Sequence, residues 1–373
     1  MPVPEQRDLE ATRGILAKWL ARAIPGASDI EVGPIGGPGA TGFSNESLIF
    51  DATWTADGTR HTEGLVVRPK PMQHTVFLES DFESQYKVLT ALAERTDVPV
   101  PPIKWYEPDE SILGSPFFVM GKVDGVVPAD APPYTVSGWL LEDTEPAQRR
   151  TLVESGIDAL ASIHAVDWRA LGLEFLDKPQ YGALGFEQQL RYYERSFEWA
   201  LDGKPAPTVA AAALDWVQTH APASDPEITL CWGDARINNQ LFGPDFQVVA
   251  VLDWEMVTLA DPMMDVAWWL FLDRHFHEGM PAPRMEGFPT REEMLARYEA
   301  TSGRPARDIE FYEIFAGLRF AVIMIRIAKL LVEFEVLAPD NDVAENNAVT
   351  RVLAEMLDLP QPGPGMTNYA GAE

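Results

Sequence analysis

The hydrophobic period of this chain changes once, near residue 121, and that change limits the folds open to it. Before it, residues 29–35, 46–54, 62–68, 103–107 and 117–122 read as short strands, with Ala56-Asp-Gly58 as a tight turn. Strands joined this closely pair antiparallel, as a meander. One helix interrupts them over residues 75–94, where Phe82, Tyr86, Leu89 and Leu92 recur at spacings of three and four. Another, over residues 7–24, precedes them and stops at Pro25-Gly26. After the change the period is helical. Helices are expected over 146–165, 185–201, 208–220, 262–277, 290–301, 308–335 and 344–357, with one strand-rich interruption at 228–252. At 373 residues the chain exceeds the roughly 250–300 at which a single core stops growing. The expectation is an α+β chain with an N-terminal helical segment (1–28), a small β-rich lobe (29–121), a larger helical lobe (122–358) and a flexible Pro/Gly-rich tail (359–373).

The balance of charge narrows the partners. Asp and Glu number 57 against 29 Lys and Arg, a net charge of −28. A chain this acidic repels a phosphate backbone, so no nucleic-acid partner is expected. The single cysteine, Cys231, excludes an internal disulfide and a four-cysteine zinc site, which fits a reducing, cytoplasmic setting. The most apolar stretch, residues 315–334, carries Arg319, Arg326 and Lys329, so it reads as a buried helix and no membrane partner is expected. The N-terminus shows no apolar signal-peptide core.

Two segments carry the chemistry. Gly37-Pro-Gly39-Ala-Thr-Gly42 matches the spacing of a phosphate-binding glycine loop. In a dinucleotide fold such glycines open a helix; here a strand follows, which suits a flap over phosphates or a plain surface hairpin. The stronger segment is Leu230–Phe242 followed by Val248–Glu255, where polar residues sit between two short apolar strands joined by Gly243-Pro-Asp245. That hairpin places Asp234, Asn239 and Asp253 at the ends of neighbouring strands. Oxygen ligands in this arrangement suit a hard cation such as Mg²⁺. Phosphoryl transfer needs little more than such a metal and a carboxylate to take the hydroxyl proton.

Trp232-Gly-Asp-Ala-Arg-Ile-Asn-Asn239 resembles the H-G-D-x-R-x-x-N signature of the aminoglycoside phosphotransferase and choline kinase-like superfamily. Val251-Leu-Asp-Trp-Glu255, Leu259-Ala-Asp-Pro262 and Asp265-Val-Ala-Trp268 are similar to the form seen in phosphotransferase-like domains related to acyl-CoA dehydrogenase-fused kinases. Gly42-Phe-Ser-Asn45 resembles the family's flap, and Ser162-Ile-His-Ala-Val-Asp167 its L-H-x-x-D helix segment. The resemblance covers roughly residues 30–335. It implies a protein-kinase-like bilobal fold and a small-molecule hydroxyl acceptor, aminoglycoside-like or hydroxyacyl-type, with ATP and Mg²⁺ as cofactors. It further implies Asp234 as catalytic base and Asn239 and Asp253 as metal ligands. Gly42, Ser44 and Asn45 would lie over the ATP phosphates, Arg68 would take the phosphate-binding cation's place, and Phe118, Val119 and Met120 would form the hinge along the adenine edge. Asp265 would brace the catalytic loop, and Glu255 could touch metal or water.

The sequence departs from that pattern in three places. Trp232 replaces the usual His of the signature, Arg68 replaces a Lys, and the helix acid that would pair with this cation aligns with Gln85, with Glu79 and Glu83 nearby. Arg can grip phosphate through two N–H groups but is not equivalent to Lys. These changes keep open a nucleotide-binding regulator without catalysis. The remaining features have plainer readings. His164 is expected in the core, and His275 and His277 lack the partners of a metal site. Trp268, Trp269, Phe271 and Phe276 read as core or as the wall of an acceptor pocket. Arg319 and Arg326, seven apart, share a helix face and are expected to form ion pairs, or else to recognise an anionic substrate group.

Overall fold

The structure, a computed structural model, describes residues 7–37, 46–71, 75–79, 81–222, 227–279 and 283–365. The N-terminal lobe holds strands β1 (Ser28–Val32), β2 (Leu48–Ala56), β3 (Thr59–Pro69), β4 (Ile103–Glu107) and β5 (Phe117–Gly121) in one antiparallel sheet of order β1-β2-β3-β5-β4. Side chains alternate across a strand, and the alternation divides this sheet cleanly. Leu48, Phe50, Leu65, Val67, Phe117 and Val119 face helix α1 (Leu9–Ala23) and pack with its Leu16, Trp19 and Leu20. Asp8 caps α1 by accepting from Glu10 and Ala11 N–H. The opposite parity puts Arg68 and its cross-strand partner Phe118 on the other face. There Phe118 meets Phe82 and, on the next turn of helix α2 (Phe82–Arg95), Tyr86.

Helix α2 begins at Phe82 rather than near residue 75. Asp81 accepts from Ser84 N–H and so sets the start. The preceding residues are spent on the other lobe: Thr75 O accepts from Arg326 Nε, and Glu79 binds Lys178 and Tyr181. A short helix, α3 (Glu110–Leu113), links β4 to β5.

After β5 the chain crosses to the helical lobe. Val126 and Phe242 exchange backbone hydrogen bonds of 3.0 and 2.9 Å, which pins the crossing to the hairpin that contains Phe242. The helices are α4 (Trp139–Glu142), α5 (Pro146–His164), α6 (Phe186–Leu201), α7 (Thr208–Thr219), α8 (Met263–His277), α9 (Arg291–Ser302), α10 (Ile309–Glu333) and α11 (Ala348–Met356). Between α7 and α8 lie β6 (Thr229–Cys231) paired with β9 (Thr258–Ala260), and β7 (Gln240–Phe242) paired with β8 (Val248–Val251). Helix α11 starts later than its apolar period suggests, because Asn347 caps it through Val349 and Thr350 N–H. Beyond it, Arg351 Nη1 donates to Gly363 O and Asn346 Nδ2 to Gly365 O, so the expected loose tail is held at least to Gly365.

The large core is continuous across the lobes, joining Phe82, Val88, Leu92 and Phe118 to the buried faces of α5, α8 and α10. This is the bilobal α+β fold expected. Among the described residues no helix is long and apolar enough to cross a membrane.

Candidate active site

Strand β6 ends at Cys231 and delivers the candidate catalytic loop, Trp232–Asn239, against the N-terminus of α8. Asp265, in the first turn of α8 and fully buried, accepts from Trp232 N–H (2.6 Å) and Gly233 N–H (2.9 Å). His164 Nε2 lies 3.2 Å from the same carboxylate, and its Nδ1 lies 2.8 Å from Tyr298 Oη. Asp265 and His164 therefore stand where the sequence placed them, as bracing in the core. Gly233 adopts φ +95°, and a Cβ there would fall 2.1 Å from Met256 O. Only glycine fits this approach.

That turn presents Asp234, whose carboxylate is held on both oxygens. Oδ1 accepts from Trp268 Nε1 at 2.8 Å; Oδ2 accepts from Asn239 Nδ2 at 2.7 Å and Arg236 Nε at 3.1 Å. Arg236 Nη1 continues to Asp130 Oδ1 at 2.7 Å. Burial disfavours the Arg236 charge, but Asp130, Asp234 and Asp253 outweigh it and raise its pKa further. The sequence assigns Arg236 no role of its own and reads Trp268 only as core or the wall of an acceptor pocket. The arginine was visible inside the signature itself, whereas Trp268 looks like any other buried aromatic of α8.

Asp253 follows β8 in the left-handed region at φ +56°. Leu252 N–H donates to Asn239 O (2.8 Å), which sets the two proposed metal ligands side by side. Trp232 ties the same turn from beneath: its indole N–H donates to Leu252 O (2.8 Å) and is 3.1 Å from Asp253 O. The departure from His thus leaves a donor that links the two loops. Asp253 Oδ1 is buried and makes no hydrogen bond among the described residues; Arg68 Nη2 approaches it at 3.8 Å. Burial raises the Asp253 carboxyl pKa, Arg68 opposes the rise, and Asp234 adds to it. With the Asn239 amide nitrogen spent on Asp234, its carbonyl oxygen and the Asp253 carboxylate suit a hard divalent cation.

Across the cleft, Arg68 Nη1 donates to Ser47 Oγ at 3.0 Å. Glu79 is engaged with Lys178 and Tyr181, and Glu83 with Lys87 on its own helix; Gln85 is buried. The cation at this position therefore faces the metal loop through Asp253. Phe118 and Val119 lie within the sheet ladder and are buried, so they can shape a nucleotide site only from beneath. Met120, partly exposed, borders the crossing. Gly42, Ser44 and Asn45 lie outside the described residues. Their flanks are paired, Gly36 with Ile49.

The aromatic cluster of α8 is core: Trp268, Trp269, Phe271 and Phe276 are all buried. Arg326 forms the expected ion pair, with Glu333 at 3.5 Å, and stacks on Trp199. Arg319 departs from expectation. It is 1% exposed, donates to Gly233 O (3.1 Å), and lies over the rings of Trp268 and Tyr193.

This geometry has known counterparts. The family model described as "Phosphotransferase enzyme family" matches residues 52–308, a range that includes β3, Trp232–Asn239 and Asp253. Among curated proteins, "Probable acyl-CoA dehydrogenase IBR3" of Arabidopsis thaliana is 31% identical over 301 residues, covering 76% of this chain and 34% of its own length. "Acyl-CoA dehydrogenase family member 10" of Mus musculus is 30% identical over 275 residues, covering 70% and 24%. The chain thus spans about a third or less of these relatives. A solved structure of a "putative aminoglycoside phosphotransferase" from Ralstonia eutropha superposes with a TM-score of 0.65 at 27% identity, covering 92% of this chain and 96% of that one. Fold and relatives agree, and the chain belongs to the phosphotransferase enzyme family.

Proposed function

We propose that the protein transfers the γ-phosphoryl group of ATP, with Mg²⁺, to a hydroxyl group of a small molecule. The convergence of Asp234, Asn239 and Asp253 at one end of the cleft carries this reading. Asp234 orients the acceptor hydroxyl and takes its proton as the new O–P bond forms and the bond to ADP breaks. Asn239 and Asp253 would hold the metal, which would supply positive charge to offset that of the phosphates. Arg68, on the cleft face of β3, grips phosphate from the opposite side, and the flap residues Gly42, Ser44 and Asn45 would cover it. Met120 and the chain after it border the adenine.

The charge around Asp234 favours a neutral or anionic alcohol over a polycationic aminoglycoside. A polycation needs unpaired carboxylates. Here Asp130 is bound to Arg236, Asp273 to Arg284, and the buried Arg319 stands close by. A hydroxyacyl thioester meets this description, and the names of the acyl-CoA dehydrogenase relatives point the same way. Product masses from a panel of hydroxyacyl-CoAs and aminoglycosides test the choice. Asp234→Asn is expected to abolish transfer while keeping the Mg·ATP-induced rise in thermal midpoint. Unchanged turnover in that variant refutes the assignment. Nucleotide binding without transfer to any acceptor favours the regulator instead, for which Arg68 and Gln85 are the motivating departures.

A further inference from the structure

Arg319 is the least expected charge in the molecule. It lies in the middle of α10, is 1% exposed, and no ion pair to a carboxylate is found among the described residues. Its Nε makes no hydrogen bond among them. Taking a guanidinium out of water without a counter-ion is costly, so what surrounds it must offset the loss. Two aromatic faces do part of this, Trp268 at 4.6 Å and Tyr193 at 5.1 Å from the guanidinium carbon. Cation–π attraction is strongest where both partners are dry. Carbonyls do the rest: Gly233 O at 3.1 Å and, more distantly, Met264 O at 3.5 Å.

The partners are informative because of what they touch. Gly233 immediately precedes the catalytic base. Its N–H is held by the Asp265 carboxylate and its C=O by Arg319, so opposite charges clamp one glycine in its left-handed turn. Trp268, whose ring Arg319 covers, spends its only polar hydrogen on Asp234 Oδ1. Oδ2 already accepts from Asn239 and Arg236, so Oδ1 is the less crowded oxygen. The orientation of Trp268 therefore decides which direction remains open on the base.

We propose that Arg319 and Trp268 are positioning residues for this reaction, a relay in which the guanidinium fixes the Gly233 peptide and the indole ring, and the indole N–H aims Asp234 at the acceptor hydroxyl. The relay rests on the phosphotransfer reading. It differs from simple packing in predicting that turnover falls while binding does not. Displacing a reacting group by about 1 Å costs on the order of a hundredfold in rate.

The test compares wild type, Trp268→Phe, Arg319→Met and the double variant, using whichever hydroxyacyl-CoA or aminoglycoside turns over fastest, with Mg·ATP hydrolysis measured in parallel. Trp268→Phe keeps the ring and removes only the N–H. Each single variant is expected to lower kcat about ten- to a hundredfold. The acceptor KM and the Mg·ATP-induced thermal shift should stay within about twofold, and the double variant should be no slower than the slower single. Wild-type kcat in Trp268→Phe, a fall that merely tracks the thermal midpoint, or multiplied losses in the double variant would each overturn the relay. If Arg319→Met does not fold, kcat of Trp268→Phe decides alone. A wild-type chain with no turnover refutes the reaction, not the relay. The relay is then decided by a crystal structure of Arg319→Met, where an intact Trp268–Asp234 hydrogen bond overturns it and a broken one supports it.

Discussion

The two sides of the cleft are built differently. On the helical side, Asp234 receives hydrogen bonds from Trp268, Asn239 and Arg236, and the backbone before it is bound by Asp265 and Arg319. On the sheet side, Arg68 has a serine hydroxyl at 3.0 Å and a carboxylate at 3.8 Å, while Glu79 and Glu83 are committed elsewhere. The first arrangement is continuous with the main core, so its geometry is fixed before any ligand arrives. The second is a small number of contacts across a cleft. Changes on the helical side should therefore act on turnover, and changes on the sheet side on nucleotide affinity.

The sharpest attempt to break this contrast is Gly233→Ala. A Cβ at φ +95° and 2.1 Å from Met256 O forces the loop to move. The expected cost is about 3 kcal/mol or more of stability and roughly a thousandfold in kcat, as when a general base is misplaced. Near-normal kcat would show that the loop is not rigid.

Acid titration separates two groups of the helical side by sign. His275, on α8, is pushed down from 6.5 to about 4 by burial, with Arg236 adding to the shift. Its contribution to stability is full above pH 6.5 and is lost as pH falls toward 4, because only the unfolded imidazole takes up the proton readily. The loss is about 3 kcal/mol at roughly 1.4 kcal/mol per pH unit. Urea midpoints of His275→Phe should show a flatter acid limb. Asp253 behaves oppositely: its carboxyl is raised above 3.8 by burial. Its contribution is therefore full below pH 3.8 and is lost as pH rises through the raised value. In metal-free protein, Asp253→Asn should remove that loss.

Trp232 ties two loops of the helical side together, and its removal tests how firmly that side is held. Trp232→Phe deletes the donor to Leu252 O and Asp253 O. The Mg²⁺ concentration for half-maximal activity should rise about tenfold, as when an outer partner of a metal ligand is lost. Arg68→Lys should have the smallest effect, a change of about two- to fivefold in KM for ATP at constant kcat, since one cation replaces another but the paired N–H grip is lost. A fall in kcat alone would move Arg68 to the catalytic side.

Much of the fold could be read along the chain. The five strands of the sheet and most long helices follow from alternating and helical periods, and the departures are at caps such as Asp81 and Asn347, whose side chains stop the helix short of its apolar pattern. Asp234, Asn239 and Asp253 could be picked out as candidates because their segments are short, polar and closely spaced, whereas Asp265 follows from the family resemblance and the core position of His164 from helical spacing. Arg236 lies within the same motif, but nothing in the local sequence ties it to Asp234 and Asp130.

Other features depend on contacts between distant segments, to which local sequence is blind. Arg319 and Trp268 look like an ion-pairing residue and a core aromatic, and only the packing of α8 against α10 sets one over the other beside Gly233. Glu79 and Glu83 lie near enough in sequence to serve Arg68, yet the docking of residues 75–79 on the helical lobe gives Glu79 to Lys178, and one helical turn gives Glu83 to Lys87. The candidate base and metal ligands, Asp234, Asn239 and Asp253, were thus legible in the sequence alone. Which of them touch, and which oxygen of the base is left open, was decided by tertiary structure, because hydrogen bonds and charge pairs depend on distances that the order of residues does not contain.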